Sequence, residues 1–170
     1  MKHNIILIGM PGCGKTTLGT GIAKRIGYGY IDSDSVIVAR EGKRLSEIIS
    51  AVGQEGFLDI EAKVNSELCA DRCVIATGGS VVYRENAMKK LKELGKVVYL
   101  QLPLAQIKKR LGDLQKRGVI LKAGATLEDL FQERAPLYEK YADIIVPLNG
   151  ESIEDSVQTV IEYLKCKETI

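Results

Sequence analysis

Four branched apolar residues, Ile5-Ile6-Leu7-Ile8, run directly into Gly9-Met10-Pro11-Gly12-Cys13-Gly14-Lys15-Thr16. Apolar residues then recur at helical spacing through Leu18, Ile22 and Ile26. A short unbroken apolar run bounded by glycine reads as a strand buried on both faces, and the recurrence reads as a helix. Strand, G-x-x-x-x-G-K-T and helix, in that order, form the setting in which such a glycine-rich turn binds phosphate. Glycines let backbone N–H groups turn inward around phosphate oxygens, and the helix N-terminus adds partial positive charge. Gly12, Cys13, Gly14, Lys15, Thr16 and Thr17 are therefore the candidate nucleotide-contacting residues, Cys13 through its backbone N–H. Lys15 suits the outer phosphates as a point charge, and the Thr16 hydroxyl suits Mg²⁺.

The rest of the chain alternates strands and helices. A short strand over 28–31 delivers Asp32-Ser33-Asp34, whose two carboxylates point the same way if strand alternation continues. Ser33 or Asp34 is expected to cap a helix over 35–40. Leu45, Ile48 and Ile49 mark a short helix, and a longer one over 54–68 turns Phe57, Ile60, Val64 and Leu68 inward. A buried strand over 73–76 runs into Thr77-Gly78-Gly79-Ser80. A helix over 83–94 ends at Gly95, and a strong strand covers 97–102. A helix over 104–111 fades into a glycine-rich, basic stretch, 112–125, expected to be a mobile lid. Thr126 caps a helix of about four turns, 143–146 is the last strand, and 152–164 closes the chain as an amphipathic helix. This alternation implies a parallel sheet covered by helices on both faces, with ligands at the carboxyl ends of the strands. The glycine-rich turn, Asp32–Asp34 and Gly78-Gly79 all fall at those ends.

Bulk properties narrow the partners. At 170 residues the chain is expected to form one domain, 1–170. Lys+Arg number 24 against 22 for Asp+Glu, so no polycationic field favours nucleic acid or anionic lipid. No apolar run approaches the roughly 20 residues of a membrane span, and the first strand begins too early for a signal peptide. A cytoplasmic protein without nucleic-acid or membrane partners is expected. The four cysteines, Cys13, Cys69, Cys73 and Cys166, show no CxxC pair and read as small hydrophobes.

With these residues assembled, the chain resembles the shikimate kinases, small-molecule kinases of the P-loop NTPase fold. The resemblance rests on Gly9–Thr17, Ile31-Asp32-Ser33-Asp34, Gly56-Phe57…Glu61, Thr77-Gly78-Gly79, Arg117 and Glu133-Arg134-Ala135-Pro136-Leu137-Tyr138. It implies an α/β fold of three layers with a five-stranded parallel sheet in the order 2-3-1-4-5. It further implies transfer of the ATP γ-phosphate to a hydroxyl of shikimate, with Mg²⁺ as cofactor, by a monomer. By the same resemblance, Lys15 holds the β/γ-phosphates, Thr16 binds Mg²⁺ and Asp32 assists it through water. Asp34 orients the substrate hydroxyl and accepts its proton, and Gly78 and Gly79 let the backbone approach the substrate. Arg134 pairs with the substrate carboxylate, Arg117 in the lid closes onto the phosphates, and Arg110 lies against adenine.

Three positions depart from the family pattern. An arginine that also grips the carboxylate is here Leu58, in Gly56-Phe57-Leu58-Asp59. A third glycine is Ser80, and the lid's Arg-Pro-Leu-Leu is Arg117-Gly118-Val119-Ile120. Lys63, Lys43 and Arg44 are the candidates to replace the missing cation. Leu58 keeps two alternatives open: a kinase for another small polyol or hydroxy acid such as gluconate, and a nucleotide-binding regulator that has lost catalysis.

Overall fold

Strand β1 (Asn4–Ile8) is buried along its whole length, as an unbroken apolar run demands of a strand covered on both faces. It pairs in parallel with β3 (Cys73–Ala76) on one side and β4 (Gly95–Gln101) on the other. Strand β2 (Gly29–Asp32) pairs outside β3, and β5 (Ile144–Pro147) outside β4, both parallel. The order is therefore 2-3-1-4-5, as the resemblance implies. The computed structural model describes residues 3–111 and 124–170. The lid expected over 112–125, Arg117 included, lies almost entirely outside them.

Seven helices are described: α1 (Lys15–Ile26), α2 (Ser33–Glu41), α3 (Leu45–Ser66), α4 (Glu85–Leu94), α5 (Leu104–Leu111), α6 (Leu127–Tyr141) and α7 (Ile153–Cys166). They cover both faces of the sheet, with α1 against α7, β2 and β3, and α4 and α6 against β4. The main apolar core lies on the sheet. A second, small core of Ile37, Ile48, Phe57 and Val64 joins α2 to α3, so that pair packs as a unit beside the sheet's carboxyl edge. Among the described residues no helix is long and apolar enough to cross a membrane.

Local departures from the sequence reading have physical causes. The two helices expected between 45 and 68 are segments of α3, interrupted at Gly53 where φ is 73° and ψ 178°. The helix expected from residue 83 begins at Glu85, preceded by a 3-10 turn, Val81–Tyr83. Gly95 opens β4 in an extended conformation. A Cβ there would stand 2.5 Å from the Asn4 carbonyl oxygen, so this glycine serves the close approach of β1 and β4.

At the amino ends of the strands the Asn4 side chain, only 2% exposed, spans three segments. Its amide donates to the carbonyls of Ala70 (2.7 Å) and Leu94 (2.9 Å), and its oxygen accepts from Cys73 N–H (3.0 Å). Removing it leaves a donor and two acceptors without partners, each a desolvation cost. Asn4→Ala should lower stability by about 2–3 kcal/mol in denaturant unfolding. Its affinity for ATP should be unchanged, because the residue lies at the far end of the sheet from the phosphate loop.

Candidate active site

The loop between β1 and α1 is shaped by glycines with positive φ, among them Gly9 (148°) and Gly14 (102°). A Cβ on Gly9 would come 2.9 Å from the Leu100 carbonyl oxygen, and Gly14 is the left-handed residue that opens α1. The helix has no side-chain cap and no acidic residue in its first turn. Its N-terminal amides thus remain available to an anion. Lys15 Nζ folds back and donates to the carbonyls of Gly9 (2.8 Å) and Met10 (3.0 Å). Cys13 engages its backbone N–H within the loop. Its N–H donates to the Met10 carbonyl (3.1 Å) and its side chain is buried, so it closes the loop on itself.

At the end of β2 the chain does not continue its alternation. Asp32 is the N-cap of α2, with Oδ1 accepting from the N–H groups of Asp34 (3.0 Å) and Ser35 (3.2 Å). This corrects the expectation that Ser33 or Asp34 caps the helix. It also separates the two carboxylates: Asp34 sits in the first helical turn, and Asp32 Oδ2 accepts from Thr16 Oγ1 at 3.1 Å and Tyr30 Oη at 3.3 Å. Asp34 is half-buried at the cleft. Burial first, then the charge of Asp32, raises its carboxyl above the ordinary aspartate range, against the attraction of Lys15.

The third wall comes from the turn after β3 and from α6. Arg134 is 2% exposed. Its Nε donates to Tyr83 Oη (3.1 Å), and its guanidinium carbon lies 5.0 Å from the centre of the Tyr83 ring. Tyr138 donates to the Gly79 carbonyl (2.6 Å) and stacks on Tyr99 with ring centres 5.2 Å apart. A Cβ on Gly79 would meet an Arg134 nitrogen at 3.0 Å. One on Gly78 would collide with Glu61 Oε1 and stand 2.9 Å from Asp34 Oδ1. Both glycines thus preserve the space into which the charged groups point.

All described candidates except Cys13 line one cleft of about 610 Å³. Arg110 lies over the phosphate loop, with its guanidinium donating to the Cys13 carbonyl at 3.4 Å. Lys43, Arg44 and Lys63 are exposed and do not line the cleft. Leu58 is buried and does not line it either.

Sequence reasoning assigned no role to Glu61, Ser80, Tyr83 or Tyr138. Glu61 is buried in the cleft wall, where Ser80 Oγ donates to its Oε2 at 2.6 Å. Burial, with Asp34 adding, pushes its carboxyl up to about 7, opposed by Ser80, Arg134 and Lys15. The signal was present: position 61 follows Phe57 by four residues, which places a carboxylate on the inward stripe of an amphipathic helix.

Comparison with known proteins agrees with this geometry. The family model described as shikimate kinase matches residues 11–165. A shikimate kinase of Nostoc punctiforme is 37% identical over 164 residues, covering 95% of this chain and 90% of that protein. One of Francisella tularensis subsp. holarctica is 37% identical over 171 residues, covering 98% and 97%. The solved structure of shikimate kinase from Acinetobacter baumannii in complex with shikimate matches with a TM-score of 0.89 at 30% identity, over 98% of this chain and 95% of that one. Sheet order, phosphate loop and acceptor wall thus coincide with near full-length similarity, and the chain belongs to the shikimate kinase family.

Proposed function

We propose that this protein transfers the γ-phosphoryl group of ATP to a hydroxyl of shikimate, giving shikimate 3-phosphate and ADP. One observation carries the reading. Lys15 and Thr16, at the tip of β1, face the same cleft as Asp34 and Arg134, so a triphosphate and a hydroxylated acid can meet there. Phosphoryl transfer is catalysed mainly by positioning and by cations near the developing charge. Lys15 already bonds two carbonyl oxygens, and phosphate oxygens are stronger acceptors for the same ammonium.

In the reaction the acceptor oxygen bonds to the γ-phosphorus while the bond from that phosphorus to the β–γ bridging oxygen breaks. The hydroxyl proton passes to Asp34, whose raised carboxyl pKa makes it a better base than an exposed aspartate. Arg134 pairs with the acid's carboxylate through its planar guanidinium, held in place by Tyr83. Thr16 and Asp32 fit Mg²⁺: they offer hard oxygens in mutual contact. The described residues hold no cluster of three or more His, Cys, Asp or Glu that would cage a metal alone. Mg²⁺ usually takes one or two protein oxygens and completes its shell with phosphates and water, neutralising charge there. Arg110 adds a cation on the nucleotide side, a role that the family resemblance also implies for Arg117. On this reading the protein works in the cytoplasm as a monomer, with a small-molecule acceptor and no nucleic-acid or membrane partner.

Steady-state ADP release, measured in parallel with millimolar shikimate, gluconate and AMP, should show turnover with shikimate alone. Turnover with gluconate in its place would reassign the acceptor, and none with any would favour a non-catalytic nucleotide binder. Asp34→Asn should lower kcat about a hundredfold or more while leaving the Kd for ATP, by calorimetry, near the wild-type value. Equal loss of both would contradict the role of Asp34.

A further inference from the structure

Two of the departures from the family pattern, Leu58 and Ser80, converge on one side chain. Leu58 precedes Glu61 by three residues on α3, hence on the same helical face, and Ser80 donates to Glu61 Oε2. Glu61 is 1% exposed, and its Oε1 has no hydrogen-bond partner among the described residues. The charged groups facing it are Asp34 from α2, Lys15 from the start of α1 and Arg134 from α6; the turn after β3 contributes the Ser80 hydroxyl. Its own helix supplies Leu58, which carries no charge. An arginine at that position would hold Glu61 as an anion and cancel its field. With leucine there, a buried carboxyl pushed up to about 7 faces the cleft beside the guanidinium that receives the acid.

We propose that Glu61 sets the affinity of the acceptor pocket for a carboxylate through its own charge: neutral, it leaves Arg134's positive field to attract the acid; ionised, it opposes that field. The inference rests on the reading that the acceptor is a carboxylic acid. Glu61 touches no reacting atom, so its role is electrostatic positioning. Linkage requires the converse as well: an anion bound beside Arg134 favours the protonated carboxyl, so acceptor binding near pH 7 takes up protons. Shikimate's own carboxyl, an ordinary carboxylic acid, and the guanidinium of Arg134 do not titrate in that range.

The test is the KM for shikimate at saturating MgATP between pH 6 and pH 9, for wild type, E61Q, S80A and L58R. In the wild type KM should rise about tenfold across the range, the effect of one added charge at moderate distance. E61Q should hold KM low and independent of pH. S80A, lacking the hydroxyl that favours the anion, should move the rise to higher pH, and L58R should flatten it. A flat wild-type profile, or an E61Q profile that rises like the wild type, would overturn the proposal. Should the variants fail to fold, calorimetry of shikimate binding to the wild type in buffers of different ionisation enthalpy decides. Net proton uptake near pH 7 supports the proposal and none overturns it. Absence of shikimate turnover at every pH removes the acceptor assignment and this inference together. Turnover with a pH-independent KM removes the inference alone.

Discussion

The Leu7 carbonyl accepts both the backbone N–H of Thr77 (3.2 Å) and its hydroxyl (2.9 Å). That pair of hydrogen bonds from the end of β3 to the end of β1 decides where the acceptor-side glycines stand. Gly78 and Gly79 follow at once, and Gly9 begins the phosphate loop two residues after Leu7, so both turns open on the same edge. Parallel pairing of β2 with β3 brings Asp32 level with Ala76 on that edge. None of these placements requires a ligand. They follow from a central strand buried on both sides and from a sheet whose strands all run one way.

On this frame the cleft gathers charge of both signs in surroundings that exclude much of the water. Lys15, Arg110 and Arg134 face Asp32, Asp34 and Glu61, and the buried members depend on neighbours for compensation. Asp32 meets that need through the first turn of α2 and through Thr16. Arg134 meets it against Tyr83, with ring face and hydroxyl both engaged. Glu61 has the Ser80 hydroxyl on one oxygen, and the charges of Arg134 and Lys15 favour its anion against burial. On the proposed reading, leucine at 58 leaves Glu61 without a countercharge from its own helix. The serine at 80 supplies part of what is missing.

Sequence reasoning succeeded where the controlling interactions are local. The phosphate loop, the strand cores and the Thr126 cap are short-range patterns, and the structure has each of them; Thr126 and Asp129 form a reciprocal capping box. It erred at Asp32–Asp34 because it carried strand alternation two residues past Asp32, where the cap redirects the chain into α2. Glu61 with Ser80, and Arg134 with Tyr83, went unseen for another reason. Each pair joins residues 19 or 51 positions apart, so the pairing itself cannot be read from either position, although Glu61 on an inward stripe and Arg134 in its motif each stand out alone. Leu58 and Ser80 looked like separate departures until the fold placed both beside one carboxyl.

The account stands on two ligands sharing one cleft, their reacting ends meeting between the tip of β1 and the start of α2. The most direct measurement is the structure of the protein with ADP, Mg²⁺ and shikimate bound together. The account predicts the nucleotide's terminal phosphate against Lys15 and Thr16, and shikimate between Asp34 and Arg134 with its carboxylate on the guanidinium. Shikimate seated away from Asp34, or nucleotide phosphates held elsewhere than the loop before α1, would contradict it.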